Sequence, residues 1–282
     1  MLLKIYLATG ALASGAMAGA IKKPQGVRCS APEMTEQQME LNMEFANLEA
    51  EVLRTGAFAA QAQADIPINV YLHTISAGES TLLSDETLQA QMDVLASEYA
   101  GTGFRLVLAD TTKTVNALWA RDGDEMAMKR TLRRGNYRDI NMYFVDSIVR
   151  GIGYCYFPLD APRGSFQFYQ DGCTNVASTV PGGEAPYNLG KTAVHEAGHW
   201  FGLFHTFHGD NCNDLGDGIA DTPSQSSHTA GCPTGRDSCP AHPGLDPIHN
   251  YMDYSDDACD EEFTPGQKAR MMSMWNRFRA GK

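Results

Sequence analysis

Apolar positions change their period several times along the chain, and each change marks an element. Ile68-Asn69-Val70-Tyr71-Leu72-His73 alternates apolar and polar residues, the rhythm of a strand with one buried face. After Ser84-Asp85-Glu86-Thr87, a helix start, Leu88, Met92, Leu95 and Tyr99 recur every three or four residues until Gly101 stops the pattern. Phe104–Leu108 and Ile140–Val145 read as further strands, Cys155–Pro158 as a fourth and Asn175–Val180 as a fifth. Residues 124–134 predict a short basic helix ending at Gly135, residues 188–202 a long helix and residues 264–279 a last one. That last helix opens with Thr264-Pro265-Gly266-Gln267, a capping box with Pro in the first turn, and puts Met271, Met272, Trp275 and Phe278 at helical spacing. Residues 33–62 are polar and helix-prone. Residues 203–263 show almost no period and are rich in Gly, Pro, Asp and Cys. A stretch that long exceeds an ordinary loop, so cross-links or metal ions rather than a core must hold it. The pattern predicts an α+β chain with mixed strands and helices over a small sheet.

Composition narrows the partners. The 282 residues carry 22 Lys+Arg against 34 Asp+Glu, a net charge of −12. Such a surface repels nucleic-acid phosphates and anionic membranes and suits hard cations. The N-terminus, MLLKIYLATGALASGAMAGA, has a lysine, a short apolar run and small residues that fit a cleavage site. It predicts a signal peptide over residues 1–18, a secreted, extracellular product and an oxidising environment for the seven cysteines. The apolar run is too short for a membrane span. Residues 19–62 then read as a pro-segment and 63–282 as a catalytic domain.

The chemistry is concentrated in residues 195–205, His195-Glu196-Ala197-Gly198-His199-Trp200-Phe201-Gly202-Leu203-Phe204-His205. On a helix, residues four apart share a face, so His195 and His199 can offer two imidazoles to one ion. Gly202 lets the chain leave the helix in a conformation other residues resist, and His205 can return as a third ligand. Three neutral nitrogens leave the fourth position of a tetrahedral Zn²⁺ open to water, which marks a catalytic site. Glu196 stands ready to take a proton from that water and deliver it to a leaving amine. The extended motif also calls for a tight turn with Met beneath the metal. Asn250-Tyr251-Met252-Asp253-Tyr254 supplies it, with Met252 as a floor and the Tyr254 hydroxyl able to stabilise an oxyanion.

HEAGHWFGLFHTF at 195–207, GDGIADTP at 216–223, GCPTGRDSCP at 231–240 and DPIHNYMDYSDDACDEEFTPGQ at 246–267 together resemble the pappalysin-type metzincin metallopeptidases, especially the secreted fungal members. The resemblance is strong over the last third of the chain and looser from residue 65 onward. It implies a metzincin-like α+β fold: an upper subdomain of mixed twisted sheet plus two long helices, and an irregular, disulfide-stapled lower subdomain with the C-terminal helix. It also implies the disulfides Cys212–Cys239 and Cys232–Cys259, where the sequence alone allows three pairings of these four. Cys155–Cys173 is a further candidate pair. Cys29, in Val27-Arg28-Cys29-Ser30, is then left over. Its thiolate can fill the open zinc position and keep the enzyme latent, as an Arg-Cys-Gly segment does in some pappalysin-like enzymes. Here Ser30 replaces that glycine, and the alternative is a free or intermolecularly paired cysteine.

Three further readings follow. Residues 210–222 cluster carboxylates in a Gly-rich loop suited to Ca²⁺, with Asp214, Asp217, Asp221 and Thr222 as candidate ligands. The segment after Met252 usually lines the pocket for the side chain following the scissile bond, and Asp257 at its base would favour Arg or Lys there. His73, His208, His228, His242 and His249 show no ligand spacing. The expected function is a secreted zinc-dependent metalloendopeptidase, monomeric, acting on proteins or peptides through a water activated by Glu196. The alternatives are a non-enzymatic secreted zinc protein that binds a partner in the same cleft, and an amidase or esterase using the same metal.

Overall fold

The computed structural model describes residues 28–32, 35–55, 65–213 and 215–282. The signal peptide expected over residues 1–18, and Asp214, lie outside the described residues. Five strands form one sheet in the order β2-β1-β3-β5-β4. They are β1 (Ile66–Ser76), β2 (Phe104–Val115), β3 (Ile140–Val145), β4 (Gly153–Cys155) and β5 (Cys173–Val176). β1, β2, β3 and β5 run parallel, and β4 pairs antiparallel to β5 at one edge. The helices are α1 (Glu36–Thr55), α2 (Asp85–Glu98), α3 (Glu125–Leu132), α4 (Phe166–Gln170), α5 (Lys191–Trp200) and α6 (Pro265–Phe278).

Two of the expected strands are displaced. The fourth ends at Cys155 rather than starting there, and the fifth begins at Cys173 and gives way to a 3₁₀ turn at Ala177–Thr179. Every residue of both strands is buried, so no alternation marks them, and Gly153 lacks the side chain that would have flagged a strand. β2 runs on to Val115 through polar residues, because it is an edge strand with a solvated face.

Ile68, Val70 and Leu72 of β1 and Met142 and Phe144 of β3 meet Leu88, Met92 and Leu95 of α2, Ala193, Val194 and Ala197 of α5, and Met271 and Trp275 of α6 in one core. The other sheet face buries Tyr143 and Val145 against Met128 and Leu132 of α3. At the base of α6, Thr264 Oγ1 accepts from the Gln267 amide at 3.1 Å while Gln267 Oε1 accepts from the Thr264 amide at 2.9 Å, the reciprocal cap the sequence predicts. A buried carboxylate ties three elements together. Asp171 accepts from Arg279 at 2.8 Å, from Arg133 at 3.2 Å and from the Trp200 indole at 3.2 Å. Burial alone would raise the Asp171 carboxyl, but the two guanidinium groups hold it below its ordinary value.

Residues 203–263 have no long element, and disulfides staple them: Cys212–Cys239 and Cys232–Cys259. Cys155–Cys173 joins β4 to β5.

Candidate metal site and cleft

All of α5 from Thr192 to Trp200 is buried, which places His195 and His199 one turn apart against the sheet edge. Gly202 takes φ +93°, a conformation open to glycine, and the chain turns out of the helix to bring His205 back. His205 Nε2 then lies 3.3 Å from His195 Nε2 and 3.1 Å from His199 Nε2. The other nitrogens face carbonyls: His195 Nδ1 is 2.6 Å from Tyr251 O, and His199 Nδ1 is 2.8 Å from Leu203 O. Those contacts put the protons on Nδ1 and leave Nε2 lone pairs pointing at one another. Burial drives all three rings below their ordinary pKa, His199 to about 4, so they stay neutral.

Facing acceptors are unfavourable without a cation between them. Tetrahedral ligands at about 2.0–2.1 Å stand roughly 3.3 Å apart, so the donor set fits Zn²⁺. Cys29 Sγ is the fourth member, since it and the three imidazoles have ligand atoms within 4.8 Å of one another.

Glu196 is fully buried beside this cluster. Cys29 Sγ donates to its Oε2 at 3.3 Å, and its Oε1 has no hydrogen-bond partner among the described residues. Burial pushes its carboxyl up to about 8. Gly153 of β4 backs onto this carboxylate so closely that any side chain there would displace it.

Beneath α5, Asn250 O accepts from Asp253 N at 3.0 Å in a tight turn that buries Met252 completely. The Met252 sulfur lies against Gly198, where a β-carbon would collide with it. Gly198→Ala is therefore expected to destabilise the fold by about 1–3 kcal/mol, read as a lower denaturation midpoint at unchanged m-value. Tyr254 packs edge-on to His205, with ring centroids 4.9 Å apart, and its hydroxyl donates to Cys29 O at 2.7 Å.

The leading segment occupies this cleft. Ser30 N donates to Gly153 O at 2.9 Å and Ile152 N to Arg28 O at 2.8 Å, a short bridge running parallel to β4. Ser30 needs no left-handed backbone, and its hydroxyl donates to Arg150 O at 3.0 Å, so a glycine is not required there. Arg28 is buried in a pocket floored by two acids. It donates to Asp257 at 2.8 Å, to Asp260 at 2.6 Å and to Ser255 O at 2.9 Å, under the Tyr187 ring. Asp257 also accepts from Leu189 N at 2.8 Å. Beyond Ala31 a cavity of about 350 Å³ opens beside His205, walled by Phe157, Phe204 and Phe207.

Sequence reasoning named Cys29 and Asp257 but missed Arg28, Asp260 and Gly153. The pairing of Arg28 with acids 229 and 232 residues away leaves no local signal. The residues expected around calcium divide. Asp217 Oδ2 and Thr222 Oγ1 are buried side by side, and burial lifts the Asp217 carboxyl to about 8 although Thr222 partly offsets it. Asp221 is instead taken up by α6, accepting from Thr264 Oγ1 at 2.7 Å and from Gly266 N at 2.8 Å. Among the histidines without ligand spacing, His228 nevertheless lies near the site, its ring tilted against that of Tyr254 with centroids 5.4 Å apart.

A peptidase family model described as pregnancy-associated plasma protein-A matches residues 182–276. An extracellular metalloprotease of Pyricularia oryzae is 55% identical over 260 residues, 90% of each chain. One from Colletotrichum graminicola is 47% identical over 280 residues, 98% of each chain. Among solved structures, mature mirolysin of Tannerella forsythia in complex with a cleaved peptide superposes with a TM-score of 0.63 at 26% identity, covering 76% of this chain and 92% of that one.

Proposed function

Since the chain belongs to the pappalysin-type metallopeptidases, as its close fungal relatives show, we propose that it is a secreted zinc endopeptidase made as a latent precursor. The observation that carries this reading is the convergence of three neutral imidazoles on one point beside a buried, unpartnered carboxylate oxygen. When bound there by His195, His199 and His205, Zn²⁺ acidifies water and polarises a peptide carbonyl.

Glu196 takes the proton of the attacking water and passes it to the departing amine. The Tyr254 hydroxyl donates to the oxygen that gains charge. Its present bond to a backbone carbonyl, that of Cys29, supports such a reach. Met252 seals the floor against water.

The Arg28 pocket supports a preference for substrates with Arg after the scissile bond, because a guanidinium already pairs with both acids there. Asp260→Asn is expected to lower kcat/KM for such substrates about thirtyfold, or about 2 kcal/mol, while leaving substrates with alanine at that position unchanged. A matched peptide pair checks it, and equal losses on both would refute the assignment.

Arg28 and Cys29 together support latency: the thiol covers the position that water needs, and the arginine holds it there. This latch is expected to loosen as pH rises. Burial lifts Asp260 to about 7 and also raises Asp257. Arg28 faces Asp260, Asp257 presses on it with like charge, as does Asp253, and Lys191 contacts only its carbonyl. Opening returns both acids to water and to their ordinary values, so closing the latch takes up a proton; the closed state is most stable in acid and loses that contribution as pH rises through about 7. Self-activation should run faster at pH about 8 than at about 5.5, measured as the lag before hydrolysis begins.

Asp217 and Thr222 are the oxygens we assign to Ca²⁺, and calcium at a hundred times its Kd should add about 2.7 kcal/mol of stability.

The deciding experiment is casein hydrolysis by the secreted protein after removal of residues up to about 60, with and without 1,10-phenanthroline. Hydrolysis that the chelator abolishes supports the peptidase. Silence from the folded, zinc-loaded protein would favour the partner-binding alternative.

A further inference from the structure

α1 lies on the catalytic domain with Met39 lining the cavity beside His205, and the rest of the helix docks through a specific face. Leu41 and Phe45 pack among Met274 and Phe278 of α6 and Phe168 of α4. One side of this contact carries a charge shielded from solvent. Arg270 of α6 is fully buried, donates to both Glu49 oxygens at 2.9 and 2.8 Å, and bonds Asn42 Oδ1 with its other arm. Asn42 in turn donates to Asp217 O at 3.2 Å and covers Gly218. Leu41, Asn42, Phe45 and Glu49 fall on one helical face, whereas Met43, Leu48 and Glu40 on the others are exposed. A fully buried arginine matched by one acid on the same helix face as the apolar Leu41 and Phe45 is the make-up of an interface hot spot, not of a chain that merely passes by.

We propose that this surface, centred on Arg270, is a binding site for the Glu36–Thr55 helix as a separate chain. Once the polypeptide is cut between α1 and β1, α1 stays seated and keeps the Arg28–Cys29 segment in the cleft. The inference rests on the latency reading above and extends it: one cut yields a two-chain complex, still silent, rather than active enzyme. Two anchors on one fragment explain why. Cys29 and Glu36 are a few residues apart, so release of either anchor leaves the other holding it at high local concentration, which multiplies retention about 10²–10⁴-fold. α1 is built from strong helix formers, so little ordering opposes its return.

The test places a recognition site for a sequence-specific protease within residues 57–63 of the full chain and cuts it once. On size-exclusion chromatography the N-terminal fragment is expected to co-elute with the remainder at micromolar concentration, and hydrolysis to appear only on dilution. In the Phe45→Ala, Glu49→Ala double variant the dilution midpoint should move at least a hundredfold to higher concentration. A wild-type fragment that separates on the column, or a double variant held equally well, overturns the proposal. A second measurement needs no variant protein. Excess synthetic peptide of residues 36–55 should speed loss of the wild-type fragment at least tenfold, and the same peptide with Glu49→Ala should not; no acceleration by the wild-type peptide also overturns it. Co-elution is read without activity, so a failed peptidase reading and a failed α1 site give different results.

Discussion

Glu196→Gln is expected to lower kcat by about 10²–10⁴-fold with zinc still bound at one equivalent. The substitution keeps the side chain's shape in a place where shape matters, between the His cluster and Gly153. It removes only the ability to accept a proton. His195 and His199 keep their Nδ1 contacts to Tyr251 and Leu203, which fix the rings independently of residue 196. The loss should therefore appear in kcat and leave KM nearly unchanged, measured on a quenched-fluorescent peptide beside a zinc determination. Hydrolysis that survives in the zinc-loaded variant would assign the base elsewhere. A variant that loses both zinc and activity would show that Glu196 holds the site together rather than moving protons.

The second large effect concerns the uncut chain. Arg28→Ala is expected to raise the activity of the intact precursor about 10²–10³-fold. Truncating one member of a buried ion pair costs about 3–5 kcal/mol, and here that cost falls on the closed state alone. In the open state Asp257 and Asp260 regain water, so nothing offsets it. Arg28 is bonded to both acids and to Ser255 O and is covered by Tyr187, so alanine leaves three acceptors unmet at once. Cys29 is then held by its backbone bridge to Gly153, the Tyr254 bond to its carbonyl and the contact of Sγ with Glu196. Activity would be followed on a short peptide while mass spectrometry confirms that the chain is uncut. An intact Arg28→Ala precursor that stays silent, while the cut enzyme is active, would mean that Cys29 and α1 suffice for latency.

How much of this was legible in the sequence depended on how far each contact reaches along the chain. His195, Glu196 and His199 are neighbours on one helical turn, so spacing alone announces them. The α2 apolar stripe, the α6 capping box and β1 are equally local. β4 and β5 are not: buried on both faces and three or four residues long, they carry no period, and only β3 on one side and α5 on the other define them. The Arg28 pocket is assembled from chain ends more than two hundred residues apart, and nothing near Arg28 foretells an acid. The surroundings of Asp221 were hidden for a related reason. Its local motif suits a cation, and the fold also brings a helix start against it that donates to each of its oxygens.

The placement of the disulfides has a consequence for the cell that makes the protein. Cys155–Cys173 fastens the three-residue edge strand that borders the cleft, and Cys232–Cys259 fastens the segment holding Asp257 and Asp260. A strand that short makes too few hydrogen bonds to hold itself in place. Both walls of the cleft thus depend on oxidation, and Cys155 and Cys173 also pack in the core against α5. In a reducing cytosol the walls would stay loose. A precursor misrouted into the cytosol would threaten its producer little, since the machinery becomes whole only where thiols are oxidised.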